Sequence, residues 1–188
     1  LVEMGVGLIP GGGGTKELVL RASDRNIKED VELNYLQQLF IMVGTAKVST
    51  SAQEAFDMYF LQKGRDGISM NVDRRIADAK RKVLLLHEQG YTQPVQRSDI
   101  KVQGRGGLAP LLSGIHAMWR GNYISDYDKF VAEKLAYVMC GGDLTQAGLV
   151  SEQYLLDLER EAFLSLCGQR KTLERLQSIL QTGKPLRN

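Results

Sequence analysis

Residues 2–18 read Val-Glu-Met-Gly-Val-Gly-Leu-Ile-Pro-Gly-Gly-Gly-Gly-Thr-Lys-Glu-Leu and form the most informative stretch of this chain. The stretch contains an early carboxylate, Glu3, a proline that restricts the turn, Pro10, and a run of four glycines. Because glycine has no Cβ, such a run lets backbone N–H groups approach a ligand or a neighbouring helix closely. The residues alone leave two possibilities open, a ligand-binding turn and a turn that only packs tightly.

Two phosphate-binding motifs are excluded at this turn by the order of its residues. A P-loop has Gly-Lys followed by Ser or Thr, whereas here Thr15 precedes Lys16. The dinucleotide motif Gly-x-Gly-x-x-Gly would start at Gly5 and Gly7, but its last position is Pro10. The sequence therefore predicts no mononucleotide cradle here.

Beyond the glycines the chain has the pattern of a mainly α protein. Polar capping residues repeatedly precede apolar side chains at helical spacing, and glycines follow them. Thr15, for example, is predicted to cap a short helix through Arg21. The other predicted helices begin at or directly after Asn26, Ser51, Asn71, Gly106, Ser125, Ser151 and Thr172. Only residues 99–102 are predicted to be briefly extended.

Two of these helices and one loop carry more specific predictions. The helix over residues 71–89 has an apolar stripe that is expected to face the core. The helix over residues 106–120 is apolar on most sides and is expected to be buried, with Pro110 in its first turn. The loop over residues 90–107 is the best candidate for an internal boundary.

Composition and charge exclude several classes of function. The 188 residues contain 24 Lys and Arg against 22 Asp and Glu, so a net charge of +2 gives no argument for a nucleic-acid partner. The uncharged stretches are shorter than the ~20 apolar residues of a membrane span. Cys140 and Cys167 have no metal-ligand spacing, so free thiols and a cytoplasmic location are expected.

The glycine-rich segment resembles the second catalytic segment of the crotonase, or enoyl-CoA hydratase/isomerase, superfamily. Glu3 followed by Gly-Leu-Ile-Pro-Gly-Gly-Gly-Gly-Thr at 7–15 carries the resemblance. Ser-Ala-Gln-Glu-Ala at 51–55 is similar to the Ala-x-Glu-Ala helix of that family, although Tyr-Phe-Leu at 59–61 replaces the usual Gly-Leu-Val.

Residues 46–52, residues 156–167 and the final Thr-Gly-Lys-Pro-Leu-Arg-Asn resemble a narrower group. In that group of bacterial proteins, a 3-hydroxyacyl-CoA dehydrogenase precedes an enoyl-CoA hydratase-like module. The resemblance implies a CoA thioester substrate, Glu3 as a catalytic acid/base, and a Gly11 N–H that positions the water. It also implies that the first glutamate, the oxyanion donors and an NAD-dependent dehydrogenase lie upstream, with no cofactor in residues 1–188.

The resemblance further implies an architecture and a set of partners. Residues 1–90 would end a crotonase-like α+β core, of which this chain holds the helical C-terminal half, and residues 91–188 would form an extra helical extension. The remaining polypeptide, the acyl-CoA substrate and an oligomer are the expected partners. An enoyl-CoA isomerase and a non-catalytic helical docking or oligomerisation unit remain the alternatives.

Overall fold

A computed structural model describes residues 1–25 and 32–188 of the chain, and this part is mainly helical, as predicted. A 3-10 turn, Glu3–Val6, precedes the first helix, and a second one, Val72–Arg74, precedes the fourth. The helices in these two ranges are α1 (Gly14–Arg25), α2 (Glu32–Gly44), α3 (Ala52–Asp57), α4 (Arg75–Glu88), α5 (Gly104–Arg120), α6 (Asp126–Met139), α7 (Glu152–Cys167) and α8 (Arg170–Thr182).

Two short strands pair in an antiparallel ladder. Strand β1 (Ile100–Val102) confirms the predicted extended segment, and it pairs with β2 (Gly148–Val150) in a register that places Ile100 opposite Val150. The Ile100 side chain is fully buried, and α1 packs against this strand. The ladder thereby ties the beginning of the chain to its C-terminal helices.

The chain divides into two compact units. One unit joins Leu1–Lys47 to Gln96–Asn188, and the other comprises Val48–Val95. One boundary therefore falls inside the loop predicted to contain it. The compact units group the residues differently from the predicted functional division into 1–90 and 91–188, and that division stays a prediction.

Side-chain caps begin several helices where the sequence predicts them. The Ser125 hydroxyl accepts the Asp128 N–H at 3.1 Å, and the Asp128 carboxylate accepts the Ser125 N–H at 3.0 Å, which completes a capping box. The Ser151 hydroxyl likewise accepts the Tyr154 N–H at the start of α7. The cap predicted at Asn26 lies outside the described residues.

The prediction for α5 is wrong in two respects. The helix begins at Gly104, so Pro110 lies in its second turn. Proline has no N–H to donate to the Gly106 carbonyl, but both residues are exposed, so water can bond to that carbonyl instead. The helix is also not buried all round. Leu111 and Ile115 are buried, whereas Met118 is 42% exposed, because α6 covers only one side of α5 in the described part of the chain.

The apolar stripe on α4 is also exposed rather than buried. Within the unit Val48–Val95, no residue of α4 is buried, and Ile76 and Val83 are 78% and 64% exposed. Helix α3 ends at Asp57, because Tyr59 adopts a φ of 61° that a continuing helix does not allow.

Both cysteines are free thiols, as predicted, and they differ in burial. Burial raises the pKa of the Cys140 thiol to about 12, whereas Cys167 is only half-buried. Because the thiolate is the reactive form, we expect alkylation of Cys140 at pH 8 to be at least ~100-fold slower than that of Cys167. Mass spectrometry of iodoacetamide-treated native protein measures both rates, and equal rates would contradict the buried position of Cys140.

Candidate active-site segment

Glu3 lies at the start of the 3-10 turn that opens the chain. Its backbone carbonyl accepts the Leu8 N–H at 3.1 Å, so the turn is closed over residues 3–8. The side chain is half-buried, and its Oε2 is fully buried with no hydrogen-bond partner among the described residues. A buried acceptor without a partner costs about 1–3 kcal/mol, so such a group requires an explanation.

Gly7 anchors this turn to α6 and α8. The Thr172 hydroxyl donates to the Gly7 carbonyl at 2.9 Å and lies 2.6 Å from the Tyr127 hydroxyl. Since the Thr172 proton points to Gly7, the Tyr127 hydroxyl must donate to Thr172. Thr172 and Tyr127 are both buried, so these two bonds fix the position of the Glu3 turn from the C-terminal helices.

Replacing Gly7 with alanine is expected to lower the free energy of unfolding by about 2–3 kcal/mol. Gly7 has a φ of +78°, and an added Cβ would lie 2.9 Å from Tyr127 Cε1 and 3.2 Å from Thr172 Oγ1. Gly5 is the matched control, because a Cβ added there would meet no atom of the described residues within 4 Å apart from its own chain neighbours. Urea unfolding of both variants measures the difference, and equal midpoints would contradict the close packing at Gly7.

Gly11 packs directly on an aromatic ring of α7. A Cβ at this position would lie 2.5 Å from the Phe163 ring, so only glycine fits without movement of that side chain. Gly11 itself is exposed, and no acceptor in residues 1–25 or 32–188 bonds to its N–H. The residue predicted to position water therefore presents a free donor on the surface of the turn.

A buried carboxylate on α7, Glu159, holds the glycine-rich turn at the start of α1. It accepts the N–H groups of Gly13 and Lys16, the second at 2.9 Å, and Glu159 is only 1% exposed. These donors are two of the N–H groups that the first turn of a helix leaves without intrahelical partners. A negative charge at this end of a helix is also favoured by the helix dipole.

The prediction that Thr15 caps α1 is wrong. Gly13 adopts a φ of +92° and α1 begins at Gly14, so Thr15 lies inside the first turn. Its hydroxyl is buried and has no partner within the described ranges. The cap comes instead from Glu159, 146 residues from Gly13 along the chain. The sequence holds one signal for this role, since Glu159 shares the apolar face of α7 with Leu155 and Ala162 at helical spacing.

A second set of polar contacts links α1 to α7. Lys16 Nζ lies 2.9 Å from Glu152 Oε2, and the other oxygen of Glu152 accepts the Arg97 N–H at 2.9 Å. The Arg97 N–H and the Lys16 ammonium together lower the pKa of the Glu152 carboxyl. The Lys16 side chain is thus engaged in an ion pair with Glu152.

Other possible sites lie apart from this segment. A groove of about 620 Å³ is lined by residues of α5 and α6, including Leu112, His116 and Glu133, and contains neither Glu3 nor Gly11. No group of three metal-ligating side chains occurs in residues 1–25 and 32–188. Among the helices in these ranges, none is long and apolar enough to cross a membrane.

Comparison with known proteins shows similarity to one part of a larger enzyme. All 188 residues are 47% identical to the "Probable 3-hydroxyacyl-CoA dehydrogenase" of Bacillus subtilis (strain 168), and they span 23% of its length. No protein-family model matches the chain. No solved structure matches it either.

Proposed function

We propose that this chain is part of a larger protein of fatty-acid β-oxidation and that it carries half of an enoyl-CoA hydratase site. The similarity to a protein named as a 3-hydroxyacyl-CoA dehydrogenase supports the pathway, because it extends over the whole chain. The resemblance of residues 2–18 to the crotonase superfamily supports the hydratase activity.

The observation that carries the hydratase proposal is the buried and unpartnered Oε2 of Glu3. Hydration of a 2-enoyl thioester places the water hydroxyl on C3 and a proton on C2, so a positioned acid/base is required. A free carboxylate oxygen, shielded from bulk water, suits that role. The free N–H of Gly11 is suited to hold the attacking water, because a backbone donor on a packed turn needs no reorganisation.

The two activities fit together chemically. Hydration of a 2-enoyl-CoA produces a 3-hydroxyacyl-CoA, which is the substrate class named for the Bacillus protein. One polypeptide that held both sites would convert the enoyl thioester through two consecutive steps. We propose that the rest of the polypeptide supplies the first glutamate, the oxyanion donors and the dehydrogenase.

The glycine-rich turn of this chain does not fit NAD, which a dehydrogenase would use. Helix N-termini bind pyrophosphate through free N–H groups. Here Glu159 occupies the N–H groups of Gly13 and Lys16, and its charge would repel an anion. An NAD site in the larger protein therefore belongs to another segment.

Crotonyl-CoA tests the proposal directly with the full-length protein. We expect the enoyl-thioester absorbance to fall and 3-hydroxybutyryl-CoA to form, and NADH to appear once NAD is added. Oxidation of supplied 3-hydroxybutyryl-CoA without hydration of crotonyl-CoA would contradict the hydratase site and leave the dehydrogenase proposal intact.

A further inference from the structure

We propose that Glu159 is a positioning residue for this site, because it sets the backbone of the glycine-rich turn on which Gly11 lies. The inference rests on the proposed hydratase function. It concerns a residue on α7 that is 148 positions away from Gly11 along the chain and acts on the backbone of the turn.

Glu159 performs both halves of a capping box from a different helix. In an ordinary box, the N-cap side chain accepts the N–H at the third helical position, and the side chain at that position accepts the N-cap N–H. Here Gly13 is the N-cap and has no side chain, and Lys16 is the third helical residue. The single carboxylate of Glu159 accepts the N–H groups of both.

This arrangement compensates for the conformational freedom of the glycines. A run of four glycines has many accessible backbone conformations, and a turn without an N-cap side chain lacks the local contact that selects one. Glu159 holds the C-terminal end of the run, while the Phe163 ring packs against Gly11 near its start. Both side chains come from α7, one turn apart, so a single rigid helix sets the direction of the Gly11 N–H.

Local sequence offers no substitute for this contact. The Thr15 hydroxyl has no partner in the described part of the chain and lies inside the first turn of α1. The side chain of Lys16 is bound to Glu152, which itself contacts the Arg97 backbone. Loss of the Glu159 carboxylate would therefore leave two N–H groups at a partly buried helix end without that acceptor.

Three variants of the full-length protein test the proposal. E159A removes both hydrogen bonds, and E159Q keeps one acceptor but turns an amide NH₂ towards the second N–H. E161Q is the matched control, because Glu161 lies on the same helix and is exposed. For each variant, hydrogen exchange of peptides covering residues 11–17 is measured together with kcat and KM for crotonyl-CoA, well below the melting temperature.

In E159A and E159Q we expect the amide hydrogens of residues 11–17 to exchange faster than in the wild type. We also expect kcat to fall at least ~10-fold, with KM changed less than about twofold. E161Q is expected to match the wild type in both measurements. Faster exchange in E159A with an unchanged kcat would overturn the positioning role and leave the proposed function standing. A wild-type protein that does not hydrate crotonyl-CoA would overturn the proposed function and the positioning role together.

Discussion

Replacement of Glu3 by glutamine in the full-length protein is expected to lower the rate of enoyl-CoA hydration at least ~100-fold, the contribution of a general acid/base. Glutamine has almost the same shape as glutamate but cannot exchange a proton. The Oε2 atom has no hydrogen-bond partner in the described ranges, so the substitution breaks no bond at that oxygen. We therefore expect a large loss of activity with little change in stability.

Steady-state hydration of crotonyl-CoA and a thermal melt of the same samples separate these two effects. The E161Q variant serves again as a control, since it removes an exposed carboxylate of the same type. Hydration by the Glu3→Gln variant within threefold of the wild type would show that Glu3 is not the acid/base. A large fall in melting temperature would instead assign Glu3 a structural role.

Replacement of Asp128 by alanine is expected to lower the free energy of unfolding by about 3–5 kcal/mol, the effect of leaving a buried charge, here the Arg175 guanidinium, without its partner. Arg175 is only 2% exposed, and its Nη1 lies 2.7 Å from Asp128 Oδ1. Without Asp128 the guanidinium stays buried and keeps its hydrogen bonds to Ser125 Oγ and Asn188 Oδ1. The variant also loses the capping box of α6.

Asp143 provides the matched control for this prediction. It pairs with Arg105 at 2.7 Å, but both side chains are more than half exposed. Exposed pairs of this kind contribute about 0–1 kcal/mol to stability. The free energy of unfolding of Asp143→Ala is therefore expected to be close to that of the wild type. Urea unfolding of both variants measures the contrast, and equal losses would show that the Asp128–Arg175 pair behaves as a surface contact.

The same pair predicts how stability depends on pH. Burial alone raises the pKa of the Asp128 carboxyl, but the Ser125 N–H and the Arg175 guanidinium outweigh burial and hold it below its ordinary value. The folded state therefore binds the proton more weakly than the unfolded state. The stabilisation that the pair provides is therefore complete above the pKa of Asp128 in the unfolded state, about 4. It is lost as the pH falls through the lower pKa of Asp128 in the folded state.

Local patterns in the sequence predicted much of the secondary structure. The caps at Ser125 and Ser151 depend on neighbours within four residues, and both occur as expected. The extended segment predicted at residues 99–102 also occurs, as strand β1, although its pairing partner β2 is distant in sequence. The predicted cap at Thr15 failed, because the positive φ of Gly13 moved the start of α1 to Gly14 and a distant carboxylate supplied the cap. Burial of α4 and α5 also could not be read from their composition, since it depends on which elements cover them.

For the candidate site, the amino-acid sequence shows which groups are available: a carboxylate at Glu3, a glycine-rich turn after Pro10 and a helix directly after it. The tertiary structure alone decided how these groups are held. Thr172 and Tyr127 anchor the Glu3 turn through Gly7, and Glu159 anchors the glycines from α7. The reason is physical, because a glycine run and a short 3-10 turn carry too few local contacts to select one conformation. Hydrogen bonds and packing from helices far away in sequence select it.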